Sequence, residues 1–129
     1  MDSRLFRRVQ RYGGDAASAA YDRGWVPLLT SLTRSCVQRA VLRAGERVVD
    51  VATGTGVAAF AAAEAVGASG AVTGVDVSQR MIERATERGR IDGAINVHFE
   101  RADMETIGGP DGAFDAAISA FGLMYAAER

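Results

Sequence analysis

The pattern of hydrophobic and polar positions divides the chain near residue 44. Before that point, apolar residues recur at the spacing of helices, and no strand is predicted. After it, short apolar runs alternate with helical patterns, which is typical of β-α-β units. We therefore predict a helical N-terminal extension over residues 1–44 and a single α/β unit over residues 45–129.

Three helices are predicted in the N-terminal extension. The pair Gly13-Gly14 predicts a break after the first helix, and Asp15 is a favourable residue to begin the second. The third helix is predicted over about residues 26–42, with Pro27 in its first turn. We expect Trp25, at the head of this helix, to be a core residue or a hydrophobic-staple residue rather than a ligand contact. The residues expected to face the body of the protein are Leu28, Leu29, Leu32, Val37 and Val41.

Four strands and two helices are predicted after residue 44. Ser78 can cap the second of these helices, which is expected to bury Met81, Ile82 and Ala85. The order of elements implies parallel strands with right-handed crossovers, so the predicted fold is α/β, a Rossmann-like doubly wound parallel sheet. The strands are predicted over residues 47–52, 71–77, 96–100 and 114–121, and the helices over residues 57–65 and about 79–87.

The most informative segment is VVDVATGTG at residues 48–56, an apolar strand that runs into a turn of small residues. Gly54 and Gly56 permit a tight turn and let a ligand approach the backbone closely. The residues that follow, VAAFAAAEAV, favour a helix, so the turn opens onto a helix N-terminus. Backbone N–H groups there favour a carboxylate or a phosphate. We interpret this segment as part of a cofactor site.

Three acidic residues accompany the predicted strand ends: Asp50, Asp76 and Asp103. The carboxyl ends of parallel strands line the ligand crevice of an open sheet, so the three side chains should gather along one edge. An ionised carboxylate only accepts hydrogen bonds, which suits amino groups and ribose hydroxyls of a ligand. Asp76 stands 20 residues beyond Gly56, about the spacing of a ribose-binding acid. Any one acid could simply cap a turn, but the three together favour a ligand site.

The ordered set of motifs resembles class I S-adenosylmethionine-dependent methyltransferases, particularly the small-molecule branch related to ubiquinone and menaquinone methyltransferases. The resemblance covers roughly residues 20–129. It implies a seven-stranded sheet and a small-molecule methyl acceptor. The segments that carry it are DVATGTG (50–56), GVDVSQRMIERA (74–85) and ERADMETIGGPDGAFDAAISAFGLMYAAER (100–129).

The resemblance also implies roles in binding S-adenosylmethionine. Asp50, Gly54 and Gly56 would hold the methionine end of the cofactor, and Ala52 in the same turn is also expected to contact it. Asp76 would accept hydrogen bonds from both ribose hydroxyls.

The remaining implied contacts lie nearer the adenine and the methyl group. Val77 would pack on the adenine, Asp103 would accept from the adenine amine, and Met104 would supply an apolar wall. Ser119 would lie beside the reactive methyl group, together with Ala120. The resemblance also suggests Tyr21 as an aromatic residue over the cofactor, and it identifies no catalytic residue.

A nicotinamide-dependent oxidoreductase is the competing interpretation. Residues 54–59 satisfy the G-x-G-x-x-A pattern of NAD(P)-binding folds, and Asp76 could serve either cofactor. Asp50, four residues before the first glycine, has no role in that pattern. Asp103 and Met104 also favour the methyl donor.

Composition limits the other possibilities. The net charge of −1 favours neither nucleic acid nor a membrane as a partner, and no apolar run is long enough for a membrane span. The one cysteine, Cys36, fits a reducing compartment, so we expect a cytoplasmic protein. No His/Cys cluster has metal-ligand spacing, and His98 is predicted to face away from the site.

The chain has about four of the seven strands that the resemblance implies. We expect it to be a fragment comprising the cofactor-binding half. A half-domain completed by another chain and a non-catalytic cofactor-binding remnant are the alternatives. The strand at 114–121 would be an exposed edge, through which another chain could pair.

Overall fold

The computed structural model describes residues 2–126. Its N-terminal part is one nearly continuous helix, in which α1 (Ser3–Ala20) runs through a π-helical turn (Tyr21–Trp25) into α2 (Val26–Arg39). The predicted break at Gly13-Gly14 is therefore wrong, and the predicted second and third helices are continuous with the first.

Tertiary packing explains why the glycine pair does not end α1. A Cβ added to Gly14 would lie 2.9 Å from the Cβ of Ser78, so the glycine permits a close approach between two helices. The Asp15 carboxylate accepts hydrogen bonds from the Ser78 hydroxyl at 2.6 Å and from the Arg80 backbone N–H at 3.1 Å. Asp15 thus caps another helix rather than beginning its own. These contacts offset the cost of a helical glycine, about 1 kcal/mol.

The inward face of α2 differs from the predicted one. Thr33 and Val37 are buried at one-turn spacing, whereas Leu28 is 71% exposed. Leu28 and Leu32 lie about 140° and 100° around the helix from Thr33, so they point away when that residue faces inward. The prediction was right for Val37 and wrong for Leu28, Leu32 and Val41, which are exposed. Trp25 is also exposed rather than in the core.

The predicted parallel sheet is confirmed. The elements are β1 (Arg47–Val51), α3 (Val57–Val66), β2 (Ala71–Asp76), α4 (Gln79–Asp92), β3 (Val97–Arg101) and β4 (Ala116–Ile118). The strands pair in the order β3-β2-β1-β4, and every pair is parallel. Ser78 caps α4 as predicted, and α4 runs further than predicted, to Asp92. The order reverses at β1, which is where open α/β sheets bind their ligands.

Strand β4 is shorter than the predicted strand at 114–121, and side-chain hydrogen bonds join it to β1 at both of its ends. The Asp115 carboxylate accepts a hydrogen bond from the Arg47 backbone N–H at 2.8 Å. At the other end, the Ser119 hydroxyl donates to the Val51 carbonyl at 2.9 Å. The chain leaves the sheet beyond that point.

A core covers each face of the sheet. Val48 and Val72 face α3 and α4, and Ile82 and Ala85 of α4 belong to the same core. Met81 is buried as well, so the predicted buried side of α4 is confirmed. Val49 and Val75 face the opposite side, where the loop between β3 and β4 packs on them. The alternation of Val48 and Val49 reflects the two-residue period of a strand. Both faces are thus closed, and the carboxyl ends of the strands stay accessible.

Candidate functional site

A cavity of about 580 Å³ opens at the carboxyl ends of the strands. Its wall on the sheet side comes from the turn after β1, the ends of β2 and β3, and the residues that follow β4. Side chains of α1 and α2 form the remaining wall. Cofactor and small-molecule sites have volumes of roughly 300–1,000 Å³, so the cavity is large enough for either.

The three acids that accompany the strand ends all line this cavity. Asp50 lies in β1, Asp76 is the last residue of β2, and Asp103 lies two positions beyond the end of β3. The structure therefore gathers the acids at one edge of the sheet, as the order of strands requires. What each acid would contact in a ligand stays a prediction.

Asp50 is the most deeply buried of the three, with 1% of its surface exposed. Its carboxylate accepts a hydrogen bond from the Thr53 hydroxyl at 2.6 Å. Burial raises the pKa of Asp50 to about 7, against the opposing effects of that hydrogen bond and of the Ala59 backbone N–H. The nearby negative charge of Asp76 acts in the same direction as burial. Among the described residues, Asp50 forms no ion pair.

Asp76 joins the end of β2 to the turn that follows β1. Its two carboxylate oxygens accept backbone hydrogen bonds from Gly54 and Ser78, each at 2.9 Å. Burial raises the pKa of Asp76 above its usual range, although these backbone N–H groups and that of Val77 oppose the change. The carboxylate is thus held in a fixed position at the cavity wall.

Asp103 is held by the loop after β3 and faces a cation from α1. One carboxylate oxygen accepts a hydrogen bond from the Glu105 backbone N–H at 3.0 Å. The other lies 3.8 Å from the Arg7 Nε atom, and the Arg7 guanidinium also donates to the Glu105 carboxylate. All three side chains line the cavity.

The turn after β1 (residues 52–56, the glycine turn) has the features of a ligand cradle. Ala52 and Gly54 both have φ +57°, a strained value for alanine. The Thr55 hydroxyl is buried and has no hydrogen-bond partner within residues 2–126, and Thr55 lines the cavity. A buried hydroxyl without a partner is costly, so a polar ligand group there would satisfy it. The turn therefore fits a cofactor that carries polar groups at one end.

The other predicted cofactor contacts divide into two groups. The cavity is lined by Ala52, Gly54, Val77, Met104 and Ala120. Gly56 and Ser119 are not among its lining residues. Gly56 is buried instead, and a Cβ there would lie 2.9 Å from the rings of Phe60 and Phe99. Its φ of +92° and this contact show that packing beneath the turn requires glycine. The Ser119 hydroxyl is engaged with the Val51 carbonyl.

Sequence reasoning missed most of the wall that the N-terminal helices supply. Tyr21 lines the cavity as the resemblance suggested, and its ring lies 3.9 Å from a Cβ built on Gly54. Burial raises the pKa of Tyr21, with Asp76 contributing. No motif marked the other residues, because their positions depend on how the helix docks on the sheet. The main missed residues of this wall are Arg7, Gln10, Trp25 and Leu29. Met124 and Tyr125 also line the cavity; they lie in the segment 100–129 that carries the resemblance, but no contact was predicted for them.

The charge of the cavity is unbalanced. Among the described residues, four carboxyl groups line it against one basic side chain, Arg7. The carboxyl groups belong to Asp50, Asp76, Asp103 and Glu105. Such a wall favours a ligand with positive charge, because like charges held in a partly buried site repel strongly.

Other candidate features lie outside the cavity. His98 is an exposed residue of β3, and Cys36 is a half-buried free thiol. In the described part of the chain, no group of three or more His, Cys, Asp or Glu side chains could hold a metal ion. No helix within residues 2–126 is both long and apolar enough to cross a membrane.

The comparisons with known proteins all indicate the same family. A family model described as "Methyltransferase domain" matches residues 48–129. Aklanonic acid methyltransferase DauC of Streptomyces sp. (strain C5) is 35% identical over 125 residues, which are 97% of this chain and 57% of that protein. A ubiquinone/menaquinone biosynthesis C-methyltransferase of Ectopseudomonas oleovorans is 37% identical over 92 residues, 70% of this chain and 54% of that protein. The chain thus spans little more than half of these relatives.

Solved structures agree with the sequence relatives. A SAM-dependent methyltransferase from Aquifex aeolicus superposes with a TM-score of 0.62 at 28% sequence identity. The match covers 67% of this chain and 46% of that one. The two folds therefore agree over about two thirds of this chain.

Proposed function

Since the chain belongs to the class I S-adenosylmethionine-dependent methyltransferase family, we propose that its cavity binds S-adenosylmethionine for methyl transfer to a small-molecule acceptor. The observation that carries the proposal is the arrangement of Asp50, Asp76 and Asp103 around one cavity beside the glycine turn. The carboxylates suit the amino and hydroxyl groups of the cofactor, and the turn suits its carboxylate.

The charge of the cavity supports the methyl donor over a dinucleotide. S-adenosylmethionine carries a sulfonium and an ammonium against one carboxylate, whereas a nicotinamide dinucleotide carries a negatively charged pyrophosphate. Asp50 is partly protonated near pH 7, but the carboxyl groups still outnumber the one guanidinium, so the cavity attracts the first ligand and disfavours the second. Together with the family, this observation disfavours the oxidoreductase interpretation.

The proposed roles follow the positions of the side chains. Asp76 accepts from the ribose hydroxyls, Asp103 accepts from the adenine amine, and the glycine turn with Thr55 holds the methionine end. When bound, the cofactor supplies an electrophilic methyl group. The residues of this chain bind and orient it and exclude water, and holding reactants in position accounts for much of the rate of such reactions.

The acceptor site is proposed beside large apolar side chains of the cavity wall. These side chains belong to Trp25 and Leu29 of the N-terminal helices and to Met124 and Tyr125 after β4. Aromatic and aliphatic walls favour a flat apolar molecule. The names of the two relatives, for aklanonic acid and for ubiquinone or menaquinone biosynthesis, agree with an acceptor of this class. A cytoplasmic location and pairing of another chain along the outer edge of β4 stay predictions.

Calorimetric titration tests the cofactor. We expect S-adenosylhomocysteine to bind and NAD⁺ not to bind. Asp76→Ala removes the proposed ribose acceptor and should weaken S-adenosylhomocysteine about tenfold or more, since a hydrogen bond to a charged group is worth roughly 1.5–3 kcal/mol. Asp111→Ala, in an exposed loop outside the cavity, is the matched control and should bind like the unmodified chain. Binding of NAD⁺ without S-adenosylhomocysteine would contradict the proposal.

A further inference from the structure

One face of α1 forms a wall of the cavity. Arg7, Gln10, Gly13 and Ala17 all line it, and their spacing of three or four residues places them along one side of the helix. The helix is attached both to α4 and to the loop after β3. Near its C-terminal half, Asp15 caps α4, and near its N-terminus, Arg7 reaches the loop after β3.

Arg7 differs from the arginines beside it. Its guanidinium donates to Glu105, and its Nε atom lies 3.8 Å from Asp103 Oδ2. The side chains of this cluster are 35% exposed for Arg7, 28% for Asp103 and 14% for Glu105, so the cluster is partly shielded from water. Arg4 and Arg8 are exposed on the same helix and do not line the cavity.

We propose that Arg7 is a positioning residue for the adenine end of the cofactor, an inference that rests on the proposed function. Arg7 does so by orienting the Asp103 carboxylate and by fixing α1 over the cavity through Glu105. Asp103 Oδ2 lies 3.8 Å from Arg7, beyond a direct hydrogen bond, so this oxygen keeps its capacity to accept from an amine. The positive charge of Arg7 attracts the carboxylate and so restrains its orientation at the cavity wall.

The physical basis is the fraction of molecules in which α1 lies against the cavity. If α1 leaves the cavity for part of the time, the apparent affinity falls by the fraction of molecules in which the wall is complete. An ion pair that is partly exposed is weakened by salt. The affinity for a neutral ligand should then depend on salt through Arg7, since the ligand itself has no charge to screen.

The test uses 5′-methylthioadenosine, the neutral adenosine part of the cofactor, and S-adenosylhomocysteine, each titrated by calorimetry. Arg7→Met should weaken both ligands by about five- to tenfold. Arg7→Lys keeps the charge and should recover part of this loss, whereas Arg8→Met should bind like the unmodified chain. Raising NaCl from about 0.05 to 0.5 M should weaken 5′-methylthioadenosine for the unmodified chain and much less for Arg7→Met.

The outcomes separate this inference from the proposed function. If the unmodified chain binds S-adenosylhomocysteine and Arg7→Met binds both ligands equally well, the role of Arg7 is refuted and the proposed function stands. A salt-independent affinity of the unmodified chain for 5′-methylthioadenosine refutes it in the same way and does not depend on any variant folding. If the unmodified chain binds neither ligand, the proposed function fails and the role of Arg7 fails with it.

Discussion

Asp50 shows how a residue proposed to bind the cofactor can oppose stability. A carboxylate buried beside a second acid, with no ion pair among the described residues, is destabilised in its ionised form. Hydrogen bonds from the Thr53 hydroxyl and the Ala59 backbone N–H recover part of this cost. A cationic ligand would recover more, which gives a physical reason for placing an acid there.

The first prediction concerns Asp50 and pH. Its pKa is about 7 in the folded chain and near 4 when unfolded, so the folded state holds a proton that the unfolded state has lost between these values. Stability from this group is complete below about pH 4 and is lost as the pH rises through about 7. Asp50→Asn stays neutral, so between about pH 5 and 8 the unmodified chain should lose about 2.6 kcal/mol more stability than the variant.

Urea unfolding of both proteins at several pH values measures this difference. The raised pKa of Asp76 gives a slope of the same sign, while the lowered pKa of Asp15 gives the opposite slope. Both slopes are present in the variant and largely cancel in the comparison. Parallel stability curves for the two proteins would show that Asp50 is ionised in the folded state at neutral pH.

At the scale of elements, local patterns predicted the sheet but not the helical wall. Strands β1 and β2 could be predicted from their own apolar runs, and the start of α4 from its capping residue Ser78. Strand patterns and helix caps depend only on residues that are close in sequence. The continuity of α1 through Gly13-Gly14 depends on a contact with Ser78, 64 positions further along the chain than Gly14. The same holds for Arg7, whose place in the cavity follows from docking. Three strand-end acids could therefore be predicted, and the wall that faces them could not.

The second prediction compares the two neighbouring glycines of α1. Gly14→Ala places a Cβ 2.9 Å from the Cβ of Ser78, so the variant must move α1 away from α4. We expect a loss of about 1–3 kcal/mol, typical of overpacking. Gly13→Ala meets no atom within 4 Å and should stabilise the helix by about 0.5–1 kcal/mol. Chemical denaturation measures both, and equal effects at the two positions would contradict the observed docking of α1.

At the scale of the whole molecule, the distribution of charge matters more than its sum. The chain carries a net charge of −1, which alone favours no class of ligand. The fold nevertheless collects four carboxyl groups and one guanidinium around a single cavity, since strand ends bring distant acids to one edge. The resulting electrostatic field is local and acts on whatever molecule occupies the cavity.

This field predicts how the chain distinguishes the methyl donor from its product. S-adenosylmethionine has one more positive charge than S-adenosylhomocysteine, at the sulfur, and the carboxyl groups of the cavity should favour it. Salt screens that preference, so the ratio of the two affinities should fall as NaCl rises from about 0.05 to 0.5 M. Asp50→Asn removes one of the carboxyl groups and should lower the ratio at low salt, whereas Asp111→Asn, outside the cavity, should not. Paired calorimetric titrations measure the ratio. A value that is independent of both salt and Asp50 would mean that the carboxyl groups do not act on the sulfonium, and selectivity would then have to come from shape alone.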